Sequence, residues 1–148
     1  MSLKERIQQD VKDAMRARDK ARLGALRLVA AAIKQIEVDS RSELDDAGVT
    51  AVLDKMAKQR RESLEQYEKA GRDDLAEQER FELALLSDYL PEPLGEEELA
   101  ALIDAAIAES GASSMRDMGQ VMGLLKDQVA GRADMKAVSG TVRARLNA

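Results

Sequence analysis

The chain predicts an all-α protein, and three observations carry that prediction. Apolar residues recur with a helical period from end to end. One Phe, two Tyr and no Trp stand among 148 residues, whereas β-sheets draw heavily on aromatic and β-branched side chains. Only two prolines interrupt the pattern, and they lie two residues apart. The expected architecture is an N-terminal helical bundle of four helices over residues 1–90, a Pro-containing linker at 91–95, and a small C-terminal three-helix domain over 96–148.

The first helix is expected from Leu3 to Arg18, with Leu3, Ile7, Val11, Ala14 and Met15 on one side and charge on the other. Asp19 then caps a second helix near Lys20 to Val38, whose Leu23, Leu26, Val29 or Ala30, Ile33 and Ile36 point inward. The polar run from Asp39 to Gly48 breaks the periodicity and reads as a connection. A third helix starts near Thr50 and ends at Ala70-Gly71, burying Val49, Val52, Leu53, Met56, Leu64 and Tyr67. Its run Lys55, Lys58, Gln59, Arg60 and Arg61 has the look of a nucleic-acid patch, but Glu62, Glu65 and Glu68 follow at distances of three and four residues, and a self-paired solvated face is the favoured reading. Asp73 caps a fourth helix through Tyr89, with Leu75, Phe81, Leu85, Leu86 and Tyr89 available for burial; Glu77, Glu79 and Glu82 read as solvent-facing acids rather than a metal cluster.

Pro91 and Pro93 restrict their own φ and disfavour helix in the residue before each, so residues 91–95 should be extended and stiff. Glu96, Glu97 and Glu98 fill the first turn of a fifth helix, where negative charge suits the dipole. Leu99, Leu102, Ile103 and Ile107 face inward, and Gly111 ends the helix. Ser114 caps a sixth helix with Met115, Met118, Met122, Leu125 and Val129 as its seam. Gly131 ends it, and Asp134 opens the last helix on Met135, Val138, Val142 and Leu146.

Composition removes whole classes of chemistry. Cysteine and histidine are both absent, which excludes thiolate nucleophiles, disulfides, the usual neutral-pH acid/base group and most transition-metal sites. No catalytic residue, metal site or cofactor is expected. No apolar run approaches the ~20 residues of a membrane span, and the start MSLKERIQQD lacks a signal-peptide core, so a cytoplasmic protein without membrane association is expected. The net charge of −5 opposes indiscriminate nucleic-acid binding and any DNA specificity, but the charge is uneven. Residues 1–41 hold ten cations against six anions, and from Gly111 onward six cations face three anions.

That C-terminal stretch carries the candidate site. Beside the apolar seam of the sixth helix, Arg116, Gly119, Gly123 and Lys126 share an adjoining stripe. Next to the seam of the seventh, Lys136, Gly140 and Arg143 repeat it. An interior helical glycine costs roughly 1 kcal/mol relative to alanine, so Gly24, Gly119, Gly123 and Gly140 call for a compensating role. Either helices approach closely where Cβ is missing, or a bulky anionic partner approaches the backbone there.

Four segments together resemble the GatB/YqeY family: AMRARDKARLGALRLVAAAIKQIEVD (14–39), KQRRESLEQYEKAGRDDLAEQE (58–79), YLPEPL (89–94) and GASSMRDMGQVMGLLKDQVAGRADMKAVSGTVRARL (111–146). The resemblance implies a stand-alone two-domain helical protein related to the C-terminal tail of the B subunit of the glutamine-dependent tRNA amidotransferase, which amidates Glu-tRNA(Gln) or Asp-tRNA(Asn). It implies tRNA as a partner and Gly119, Gly123, Lys126, Gly131 and Arg132 as the residues touching RNA. Gly95, where a polar helix cap is expected, and Met135, often glycine, depart from the family pattern. The kinase and glutaminase chemistry lies in domains this chain lacks, so a carbon-nitrogen ligase activity with glutamine as amido-N-donor would exist only within a complex.

The reading that follows is a non-catalytic tRNA-binding module serving amidation or translation. Beside it stands an adaptor that receives a protein partner on the glycine-lined face of the C-terminal helices.

Overall fold

The computed structural model describes residues 1–147. Among these the chain forms seven α-helices and one 3-10 turn, with no strand. It divides into two compact units, Met1–Leu90 and Pro91–Ala148.

The first unit holds α1 (Leu3–Arg16), α2 (Lys20–Ser40), α3 (Asp46–Lys69) and α4 (Asp73–Ser87). Ser2 closes a reciprocal cap with Glu5 at the start of α1, satisfying two backbone N–H groups that have no partner inside the helix. The Asp19 side chain accepts the Arg22 N–H at 3.1 Å and so starts α2 as expected. The third helix begins several residues before Thr50, because the Asp45 carboxylate accepts the Gly48 N–H at 2.8 Å and nucleates the first turn. Asp73 is the first residue of α4 rather than its cap, the cap position being Arg72.

The core of this unit is built on Ile7, Leu26, Val29, Val49, Leu53 and Leu86, each at most 2% exposed. Tyr89 is buried against it, donates its hydroxyl hydrogen to Asp10, and lies 4.8 Å beneath the Arg6 guanidinium. Burial, and then the hydrogen bond to Asp10, pushes the Tyr89 phenol far above its ordinary pKa. Phe81 is 39% exposed; it lies about 40° beyond Leu85, at the edge of the arc of Ala76, Leu85 and Leu86 that α4 buries. Ile36 and Met15 also stand outside the core.

The charged middle of α3 is wired differently from the expectation. Arg60 reaches across to α4, with Nε 2.5 Å from Glu82 and 3.7 Å from Glu79, and all three side chains are largely covered. Glu79 and Glu82 are therefore packing partners rather than solvent-facing acids. Burial raises the Glu79 pKa, with Arg60 opposing the rise and Glu82 adding to it. Nearer the C-terminus of α3, Lys69 pairs with Glu65 along the helix at 3.0 Å, and Arg80 of α4 pairs with Glu68 at 2.9 Å.

The second unit holds α5 (Glu96–Ser110), the 3-10 turn Met115–Asp117, α6 (Met118–Val129) and α7 (Met135–Leu146). Its core comprises Ile103, Ala106, Val121, Leu125, Val129, Val138, Val142 and Leu146. Gly111 ends α5 at φ 70° and Gly131 follows α6 at φ 73°, left-handed conformations that glycine adopts without Cβ strain. The seam of α6 is rotated from the expected one: Val121 is fully buried and Met115 is 37% exposed. Ser114 makes no side-chain cap bond. The tighter 3-10 turn precedes the helix and shifts the phase of everything before Met118.

Candidate functional site

In α6 the i, i+4, i+8 series Val121, Leu125 and Val129 faces the core, and in α7 Val138, Val142 and Leu146 do the same. At ~100° per residue, this orientation turns Gly119, Gly123 and Lys126 outward on α6 and Lys136, Gly140 and Arg143 outward on α7. All six residues are exposed. The two stripes occupy the same angular position relative to their respective seams.

A Cβ built on Gly119, Gly123 or Gly140 meets nothing within 4 Å, and Gly24 of α2 is equally open. This removes one of the two explanations for glycine inside these helices. No neighbouring helix crosses at these positions, so close packing within the unit is not what offsets the propensity cost. What the glycines leave is bare, accessible helix backbone.

The cations divide into two groups. Among the described residues no carboxylate lies within ion-pair distance of Arg116, Lys126, Lys136 or Arg143, and all four are exposed. Arg132 behaves otherwise. Its Nε donates to the Glu92 carbonyl at 3.1 Å, its Nη2 lies 3.9 Å from Glu98, and its carbonyl accepts the Leu94 N–H at 2.9 Å. Arg132 thus fastens residues 92–94 to the turn between α6 and α7, with Gly131 supplying the left-handed bend that presents it. Arg145 pairs with Asp104 and donates to the Ala100 carbonyl, tying α7 to α5. These internal roles of Arg132 and Arg145 are not readable from the sequence, where both look like further members of a basic cluster.

The chemistry this surface offers is recognition. Among the described residues no group of three or more Asp or Glu side chains could hold a metal ion, and no helix is long and apolar enough to cross a membrane. The exposed cations and open backbone can approach a partner.

Comparison with known proteins identifies relatives along nearly the whole chain. A protein from Eremothecium gossypii named "Altered inheritance of mitochondria protein 41, mitochondrial" is 40% identical over 106 residues, covering 70% of this chain and 58% of that protein. Proteins of the same name from Pyrenophora tritici-repentis and Kluyveromyces lactis are 31% and 32% identical, each over 93% of this chain and over 77% and 72% of their own lengths. The chain therefore spans somewhat over half of the first relative and about three quarters of the other two.

These relatives correct two expectations. They are named for the inheritance of mitochondria, which overturns the assignment as a tRNA-binding module of the amidotransferase and, with it, the translation role. They are named as mitochondrial proteins, which overturns the cytoplasmic expectation. A family model described as "Yqey-like protein" matches residues 4–146, and the chain belongs to the YqeY-like protein family.

Proposed function

We propose that this chain is a non-catalytic adaptor that docks a protein partner on the outward stripes of α6 and α7, in a process tied to the inheritance of mitochondria. The observation that carries the proposal is the open space over Gly119, Gly123 and Gly140, flanked by Lys126, Lys136 and Arg143 with no ion-pair partner among the described residues. A partner backbone can come close where Cβ is missing, and the cations can pair with its carboxylates. The mitochondrial setting is supplied by the names of the fungal relatives. In this scheme α1–α4 and α5–α7 act as two helical bodies, the second presenting the docking face and residues 91–95 held to it by Arg132.

Affinity capture from a mitochondrial extract, after RNase treatment, compares the wild-type chain with Gly119→Leu and Gly123→Leu. Both side chains would project into solvent, so the fold is retained while the stripe is blocked. The expected result is a partner recovered by the wild type and lost by both variants. Recovery unchanged by either substitution would remove the proposal.

A further inference from the structure

α2 runs from Lys20 to Ser40, and its outer face has a second pattern. Ala21, Gly24, Leu28, Ala31, Gln35 and Val38 follow the alternating three- and four-residue spacing of a heptad seam. All six are exposed, Leu28 at 50% and Val38 at 58%. These two are large apolar side chains left in water on a helix whose opposite side already fills the core with Ala25, Leu26, Val29 and Ile33. A Cβ on Gly24 would meet nothing within 4 Å. The seam therefore has small residues as holes, two apolar knobs, and no cover within the described residues.

Charge says what kind of partner fits. Lys20, Arg27 and Lys34 recur every seven residues along one edge of this seam, and Arg41 follows at the helix cap. Among the described residues none of the four lies within ion-pair distance of a carboxylate. In a heptad pair these flanking positions set partner choice. A second copy is a poor match. Antiparallel pairing would set cation against cation, and parallel pairing would set each cation against Ala25, Ala32 or Asp39. Of those three, Ala25 is buried in its own core and Asp39 already accepts from Gln35 at 2.9 Å. The opposite edge offers no other acid along the seam.

The geometry points to α2 as a docking site for an acidic amphipathic helix of a partner protein, with apolar residues at heptad spacing seated between Leu28 and Val38 and carboxylates facing Lys20, Arg27 and Lys34. The contact would run from Ala21 to Val38, about 26 Å of helix. Gly24 and Ala31 let the two axes come near the lower end of the usual ~8–10 Å separation. This surface is separate from the stripes of α6 and α7 and stands or falls without them.

The test uses the full chain and two fluorescein-labelled peptides of three heptads, both with Leu at the seam positions, one with Glu and one with Lys at the flanking positions. Anisotropy titrations should show binding of the Glu peptide that weakens as salt rises, and no binding of the Lys peptide. The double variant Arg27→Glu with Lys34→Glu should weaken the Glu peptide by at least about tenfold, a size set by two charge pairs turned repulsive, and should restore the Lys peptide. Both side chains are exposed, so an unchanged melting curve is expected. Leu28→Asp should abolish binding of the Glu peptide by the wild-type surface.

Three results would overturn the assignment: equal binding of both peptides, indifference to the charge reversal, or binding of a single-stranded RNA probe in place of the Glu peptide. A concentration-dependent dimer in sedimentation that Leu28→Asp disperses would also overturn it, in favour of a second copy of the chain.

Discussion

Glycines of this chain fall into two kinds that the sequence alone does not separate. Gly111 and Gly131 sit at φ 70° and 73°, where any Cβ is strained, whereas Gly123 and Gly140 lie within helices at ordinary φ with open space beside them. Gly111→Ala is therefore expected to destabilise the protein by about 1 kcal/mol or more. Gly123→Ala and Gly140→Ala should each stabilise it by roughly 0.5–1 kcal/mol. Urea unfolding of the three variants checks this, and opposite shifts of the midpoint at unchanged slope are the expected result. The sequence placed all of these glycines correctly at helix ends or interiors. It could not say whether the interior ones were packed, because that depends on which helices cross nearby. The same holds for Arg132, whose bond to the Glu92 carbonyl joins residues forty positions apart.

Between elements, the ion pairs show how much of the fold was legible and where reading stopped. Helix positions followed from apolar period and caps such as Asp19 and Asp134, because those signals are local. The sequence pairs Arg60 with neighbours on its own helix, since contacts three and four residues away are visible in a sequence while its actual partners, Glu79 and Glu82, depend on how α3 meets α4. Two carboxylates with opposite pKa directions give a test. Glu37 accepts from Lys4 and from the Leu44 N–H, both at 2.8 Å, and these bonds, the Lys4 one first, lower its pKa. Its contribution is complete above the ordinary value of 4.5 and is lost as pH falls through the lowered folded value. Lys4, raised by the same bond, keeps its contribution below 10.5 and loses it as pH rises through its raised value. Glu37→Gln should thus destabilise at neutral pH, with the deficit closing in acid. Glu79 is raised by burial, so the folded state holds its proton more tightly and stability declines as pH climbs from 4.5 through the raised value. Glu79→Gln leaves Arg60 with Glu82 and should equal or exceed wild-type stability at neutral pH. Thermal melts of both variants from about pH 3 to about pH 8 distinguish the two signs.

At the scale of the whole molecule, each unit closes a core from its own residues, Ile7 to Tyr89 in one and Ile103 to Leu146 in the other. The second unit is small, and a chain of that size buries only ~60% of the surface it exposes when unfolded. Its core is largely Val and Leu with no aromatic side chain, so each of its larger members carries a substantial part of its stability. Leu125 and Leu53 are both completely buried, and truncating such a leucine costs about 2–5 kcal/mol. That loss is a modest fraction of a typical domain's ~5–15 kcal/mol but most of what a unit at the lower end of that range has. Leu125→Ala should accordingly strip amide-exchange protection from α5, α6 and α7, whereas Leu53→Ala should lower protection in α1–α4 without abolishing it. Native-state hydrogen exchange reads both. Retained protection throughout α5–α7 in Leu125→Ala would show that the second unit draws stability from beyond its own core. Loss of α5–α7 in that variant would also remove the stripes around Gly119 and Gly140 while leaving the seam on α2 in place, so partner capture and peptide binding should fail separately.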